Sequence, residues 1–174
     1  TIVIPIVIYI LDDFDGQLSS QRSEAEIEQI FERVNNIWTQ ADVELDLLRV
    51  ERATVSRELL LGFNNREFGR FFTAVNQGQV TLPEFAPIVG FYVQTLGGPN
   101  GIAPSLSNTF FVMDTPSVLD ERVTSHEIGH ILGLHHVLDD AERLMFSGTN
   151  GMNLTDEEAT VARYAALGLL RGLR

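Results

Sequence analysis

The chain contains no cysteine and no lysine, and only four of its 174 residues are histidine. The absence of cysteine excludes disulfides, thiolate zinc ligands and a cysteine nucleophile. Twenty-four acidic residues face twelve basic ones, all of them arginine, and the formal net charge is −12. Because nucleic acids and anionic membranes are bound through basic surfaces, we expect neither as the main partner.

The sequence also lacks a long apolar run. Residues 2–11, IVIPIVIYIL, are fewer than the ~20 residues that a membrane helix needs, so membrane insertion is not expected. Their β-branched side chains predict a buried strand, in which Pro5 indicates a sheet margin or a bulge. The chain begins at Thr1 rather than Met, which leaves removal of an upstream signal or pro-segment open.

Hydrophobic periodicity and turn residues predict one domain over 1–174, with an α/β or α+β fold and a mixed sheet. Residues 57–87 are rich in phenylalanine and are predicted to form an insertion with a helix near 66–76. The other predicted elements are strands over 2–11, 43–51, 88–96 and 109–113, and helices over 27–41, 119–134 and 154–170.

All four histidines fall within residues 126–136, HEIGHILGLHH. His126 and His130 are four residues apart on a predicted helix, so their imidazoles project from one face about one turn apart. This placement suits two ligands of one zinc ion. Glu127 is rotated by about 100° from His126, which places its carboxylate beside the metal, where it can take a proton from a zinc-bound water.

Gly133 is predicted to end this helix with a positive φ and to turn the chain back, so that His136 becomes the third ligand. Three protein ligands leave a position open for water, as in catalytic zinc sites. A core helix with internally satisfied histidines is the competing interpretation. It leaves three correctly spaced histidines and Glu127 unexplained.

Residues 123–136, VTSHEIGHILGLHH, resemble the zinc signature of the metzincin metallopeptidases and are most similar to that of the matrixin branch. The resemblance implies a twisted mixed sheet of about five strands with a backing helix, a zinc-binding helix and a C-terminal helix. It implies a secreted or extracellular zinc endopeptidase that cleaves proteins or peptides, holding one catalytic Zn²⁺ with His126, His130 and His136. Glu127 would be the general base.

Two further segments resemble the same family. Met145, nine residues after His136, stands where metzincins carry a methionine turn beneath the zinc. Residues 98–103, GPNGIA, are similar to the matrixin loop that leads into the strand above the cleft. That likeness implies that the backbone of Gly101, Ile102 and Ala103 pairs with an extended substrate. An ordinary Gly/Pro loop is the equally weighted alternative.

The sequence departs from the family at several positions. Val137 follows the third histidine, where matrixins usually have Ser, and Ser147 stands where some metzincins have a zinc-reaching Tyr. No histidine remains for a second zinc site, and a cysteine switch is impossible within this chain. Subfamily and side-chain specificity therefore do not carry over.

Other interpretations stay open at this point. Residues 13–16, DFDG, have a fragment of calcium-loop spacing, with a solvated turn as the default. Asp139 and Asp140 are either outer partners of a zinc ligand or a solvated loop, and His135 is expected at the surface. Two other functions compete: a catalytically silent zinc-holding interaction module, and a zinc hydrolase of a non-peptide amide. A monomer is the default expectation.

Overall fold

The computed structural model describes residues 1–172; residues 173 and 174 of the expected domain lie outside the described residues. Five strands are present: β1 (Ile2–Asp13), β2 (Val43–Val55), β3 (Ile88–Val93), β4 (Gly101–Ile102) and β5 (Thr109–Met113). Five α-helices are present: α1 (Glu24–Trp38), α2 (Arg57–Gly62), α3 (Phe68–Asn76), α4 (Asp120–Ile131) and α5 (Asp156–Leu170). Within residues 1–172, no helix is long and apolar enough to cross a membrane.

The strands form one five-stranded mixed sheet in the order β2-β1-β3-β5-β4. The pairs β2–β1, β1–β3 and β3–β5 are parallel, and β4 pairs antiparallel with β5 at one edge. The expectation of a mixed α/β or α+β fold with about five strands is therefore confirmed. The predicted strand over 109–113 has the observed bounds, whereas the strand predicted over 43–51 continues to Val55.

Strand β1 is apolar on both faces because both faces of the sheet are covered. Its even-numbered residues lie in the core under α1, α4 and α5, and several of its odd-numbered residues lie in a second core on the opposite face. The first group is Ile2, Ile4, Ile6, Ile8 and Ile10, and the second is Val7, Tyr9 and Leu11.

Pro5 lies in an interior strand, so the sheet-margin expectation is wrong, while the expected irregularity is present. The β1–β2 register shifts between Ile6 and Val7. The β1–β3 ladder begins at Ile6, one residue after Pro5, so the missing N–H of the proline removes no bond from that ladder.

Residues 57–87 cover the second face of the sheet. Phe63 and Phe68 lie 5.0 and 4.7 Å from Phe111 of β5, and Phe71 lies 5.1 Å from Phe91 of β3, measured between ring centroids. The helix expected near 66–76 is confirmed as α3, whereas α2 was not predicted. Phe63, Phe68 and Phe71 therefore bury one face of the sheet, whereas Phe85 of the same segment is exposed.

Helix α4 is fixed at its first residue by a buried arginine. Arg22 donates to the Asp120 carboxylate at 2.6 Å and to the backbone carbonyl of Met113 at 3.0 Å. Its guanidinium also lies over the Tyr92 ring, 5.5 Å from the centroid. The Tyr92 hydroxyl is 2.7 Å from the Thr124 hydroxyl on the next turn of α4. These contacts anchor the amino-terminal half of α4 to β3 and β5.

Substitution of Gly90 in β3 tests how tightly the sheet packs against the helices. A Cβ on this residue would meet the Phe110 ring and would lie 2.6 Å from Ile8 Cδ1. We expect Gly90→Ala to lower the free energy of unfolding by about 1–3 kcal/mol, measured by urea denaturation, because a fully packed interior must be displaced.

Gly168→Ala is the matched control. Gly168 lies within α5, and a Cβ there would meet nothing within 4 Å. We expect this variant to gain up to about 1 kcal/mol, because alanine replaces glycine in a helix interior. Equal urea midpoints for the two variants would contradict the packing described for β3.

Candidate metal centre

Helix α4 lies almost wholly inside the protein. Asp120 and Glu121 occupy its first turn, where carboxylates stabilise the positive end of the helix dipole. Every residue over 122–129 is buried. The helix packs against α1, β4 and β5, which brings its histidine-bearing side next to the sheet edge formed by β4.

The helix ends in a turn built on glycine. Gly133 has a φ of +84°, a conformation that side chains disfavour. Its N–H donates to the His130 carbonyl at 3.1 Å, and the Leu134 N–H donates to the Gly129 carbonyl at 2.9 Å. This bond pair is the Schellman ending of a helix, and it reverses the chain so that His136 returns toward α4.

The three histidines converge on one point. His136 Nε2 lies 3.3 Å from His126 Nε2 and 3.1 Å from His130 Nε2, and the candidate ligand atoms all lie within 4.8 Å of one another. Two ligands of a tetrahedral zinc ion with bonds of about 2.0–2.1 Å are about 3.3 Å apart. The two His136 distances therefore fit ligands of a single ion.

Hydrogen bonds from the Nδ1 atoms of His126 and His130 orient the two imidazole rings. His126 Nδ1 donates to the Leu144 carbonyl at 2.8 Å, and His130 Nδ1 donates to the Leu134 carbonyl at 3.0 Å. Since a carbonyl only accepts, each Nδ1 carries the proton and each neutral ring turns a bare Nε2 lone pair inward. His136 Nε2 lies near both of these atoms, but a single N–H cannot donate to both lone pairs. A cation placed between the three Nε2 atoms would interact with all of them at once.

The three histidines differ in exposure: His126 is buried, His130 is partly buried and His136 is exposed. Burial lowers the pKa of His126 to about 4, against the opposing effect of the Leu144 carbonyl. Burial also lowers the pKa of His130. Both rings are thus neutral near pH 7, the form that binds metals, and the centre opens to solvent beside His136.

Glu127 is buried beside the histidines, with 7% of its surface exposed. Burial raises the pKa of its carboxyl to about 8, although the Arg122 charge and a hydrogen bond from the Ala103 backbone act to lower that pKa. The group is therefore a stronger base than a solvated glutamate.

Strand β4 passes directly over this carboxylate. A Cβ on Gly101 would lie 2.9 Å from Glu127 Cγ and 3.1 Å from Glu127 Oε1. Gly101 and Ile102 form β4, and Ala103 follows them and contributes its backbone to the Glu127 hydrogen bond. Pairing of these three residues with a substrate stays a prediction, and the structure adds that the Ala103 backbone also holds Glu127.

Met145 lies beneath the histidine helix. Its side chain is fully buried, and a Cβ on Gly129 would lie 2.6 Å from its sulfur. The Met145 carbonyl accepts from the Val137 N–H at 3.0 Å, just after the third histidine. Met145 therefore touches both the helix that carries two candidate ligands and the segment that carries the third.

Arg122 is a component of the centre that sequence reasoning missed. It is buried on α4 and donates to the backbone carbonyls of Leu144 at 2.7 Å, Gly151 at 3.2 Å and Phe146. The Leu144 carbonyl also accepts from His126 Nδ1. The available signal was the spacing of four residues from Arg122 to His126, which places both on one helix face.

The other candidate ligands lie elsewhere. The Asp13 and Asp15 carboxylates pair with Arg57 at 3.1 and 2.5 Å, so the structure gives the calcium expectation no support. Asp140 caps its own loop by accepting from the Glu142 N–H at 3.0 Å. His135 is exposed, as expected. Within residues 1–172, the histidine triad alone brings three potential metal-ligating side chains close enough to hold an ion.

Comparisons with known proteins identify the fold only. No family model matches the chain, and no curated protein matches it. Sixty-one solved chains match. One, from a structure described as "Structure of a chaperone-substrate complex", has a TM-score of 0.55 and 15% identity. The match covers 97% of this chain but 35% of that one, so this chain spans about a third of its length.

Arg122→Met tests whether the arginine holds the candidate ligand set. Loss of its bond to the Leu144 carbonyl frees the acceptor that orients His126, and we expect zinc affinity to fall about 10- to 100-fold. Affinity is measured by competition with a chelating dye, which needs no enzymatic activity.

Arg33→Met is the control for this measurement. Arg33 lies on α1 and pairs at 3.2 Å with Glu121 of α4, the helix that also carries Arg122. The Arg33 side chain is 47% exposed. Because an exposed ion pair contributes little, zinc affinity should stay unchanged. An equal loss in both variants would show that Arg122 supports the helix in general rather than the metal ligands.

Proposed function

We propose that the protein is a zinc-dependent endopeptidase of the metzincin type. The observation that carries the proposal is the convergence of three imidazole Nε2 atoms beside a buried carboxylate. The histidines supply the donor set of a catalytic zinc site, and three ligands leave a coordination position open. Glu127 supplies the base that peptide hydrolysis needs.

Each residue has a separate role in this proposal. His126, His130 and His136 hold the ion, and zinc when bound supplies a Lewis acid for a carbonyl oxygen and for water. Glu127 takes a proton from the attacking water at its carboxylate and delivers that proton to the leaving amine. The raised pKa of Glu127 suits both transfers, because a carboxyl near neutral pKa accepts and returns a proton readily.

The sheet edge supports a peptide as the substrate. Strand β4 is the last strand of the sheet, with β5 on one side, and it lies directly above Glu127. An extended peptide that pairs with the outer edge of β4 would lie across the metal centre. A solved chain with a similar fold comes from a chaperone–substrate complex. In line with this, our proposal includes a protein or peptide as the partner of the site.

A second candidate function is favoured by one observation. Strand β4 contains only two residues, Gly101 and Ile102, and a short edge gives a long peptide few backbone partners. A zinc hydrolase acting on a small non-peptide amide therefore remains the second candidate. Glu127 argues against a silent zinc-holding module, because such a module needs no buried base.

Glu127→Gln tests the proposed mechanism. The zinc-loaded wild-type protein is expected to cleave denatured casein, and a chelator is expected to stop the reaction. The variant should keep one zinc per chain and lose about 10²- to 10⁴-fold in cleavage rate, because the amide keeps the shape of the carboxylate without its basicity. Rates are measured by peptide release and zinc by atomic emission.

Glu28→Gln is the matched control, since Glu28 is exposed on α1. This variant should cleave casein at the wild-type rate. Chelator-sensitive hydrolysis of small acyl amides, without cleavage of casein, would favour the second candidate. Casein cleavage that persists in Glu127→Gln would rule out the role assigned to Glu127.

A further inference from the structure

A cavity of about 770 Å³ opens beside the metal centre. It lies between the loop over 103–108 and the turn over 130–135, and His130 forms part of its wall. The lining is mixed: Pro104, Ile131 and Leu134 are apolar, whereas Ser105, Ser107 and Asn108 contribute polar groups. The lining contains no Asp, Glu or Arg, although the chain carries a net charge of −12. Apolar walls with a few polar groups and no fixed charge are typical of sites for an uncharged ligand group with an apolar body.

The rim of the cavity carries a leucine in an unfavourable conformation. Leu106 has a φ of +60°, and its side chain is fully exposed. It occupies the third position of a turn over 104–107, which the Ser107 N–H and hydroxyl close by donating to the Pro104 carbonyl at 3.3 and 2.7 Å. A positive φ at this turn position favours Gly or Asn.

Two local preferences are therefore violated at one residue. A branched side chain adopts a left-handed backbone, and a large apolar group faces water. Neither feature stabilises the free protein, and such sites are often functional. Because Leu106 stands at the mouth of a neutral cavity, an apolar group entering that cavity would cover it.

We propose that this cavity is a subsite for an apolar side chain of the substrate and that Leu106 forms its outer wall. The inference rests on the proposed function in one respect, that the substrate is a peptide chain. The substrate is the occupant because the cavity shares His130 with the metal centre. A peptide that pairs with the outer edge of β4 would continue along the loop over 103–108, which lines the cavity. The subsite therefore selects one position relative to the reacting bond.

Equilibrium binding of a position-scanned peptide set tests the subsite without requiring hydrolysis. The probes are fluorescein-labelled octapeptides of Ala, Gly and Ser in which a single Leu moves one position at a time. They are titrated against zinc-loaded Glu127→Gln protein. We expect one Leu position to bind about tenfold more tightly than the peptide without Leu, because one apolar side chain leaves water.

Leu106→Asn in the same background is expected to abolish that tenfold preference and to leave binding of the Leu-free peptide unchanged. Asn tolerates a positive φ, so the turn is retained and the melting temperature should rise by about 2–4 °C. If Leu106 had only a structural role, its replacement would instead lower the melting temperature. Phe14→Asn is the control, since Phe14 is an exposed loop residue outside the cavity lining.

The outcomes separate the two proposals. The same affinity at every Leu position, or a preference that survives Leu106→Asn, overturns the subsite, while cleavage of casein continues to support the endopeptidase. A preference that Leu106→Asn abolishes but Phe14→Asn retains supports the subsite, even if the wild-type protein cleaves no casein and the endopeptidase proposal fails. A preference lost equally in both variants overturns the assignment to Leu106.

Discussion

The carbonyl oxygen of Leu144 is the atom on which the candidate metal centre depends. It accepts a hydrogen bond from His126 Nδ1 and another from the guanidinium of Arg122. The first bond sets the tautomer and the direction of a ligand, and the second fixes the segment that carries Met145 against α4. The backbone carbonyl of Leu144 thereby orients the His126 side chain of α4. The geometry of the three histidines therefore depends on how the segment around Leu144 packs against α4.

Glycine lets the backbone approach this centre at three points. Gly101 carries β4 over the Glu127 carboxylate, and Gly129 leaves room for the Met145 sulfur. Gly133 reverses the chain with its positive φ, which brings the third imidazole to the other two. In the first two cases a Glu127 or Met145 side chain occupies the space that a Cβ would need, so the close approach determines the identity of the residue.

The convergence of the three histidines was more predictable from the sequence than the surroundings of the site. The spacing of His126 and His130 is a property of one helix, and Gly133 is a local turn signal, so both could be read from a short window. The roles of Arg122 and of residues 57–87 depend on which distant carbonyls and phenylalanines lie opposite them, and no local pattern contains that information. Pro5 indicated either a sheet margin or a bulge, and the choice between them depended on β3, a strand far along the chain that makes β1 an interior strand.

The alternation of side chains in β1 has a consequence for the support of helix α4. This strand supplies isoleucines to the core beneath α4 and other residues to the opposite core, so a slip of one residue would exchange the two sets. Its partners β2 and β3 are parallel and distant in sequence, so this register depends on non-local pairings, which are slow to form. Such a slip would remove the apolar surface on which Val123 and Ile128 of α4 pack, whereas the spacing of the three histidines is set within that helix and the turn that ends it.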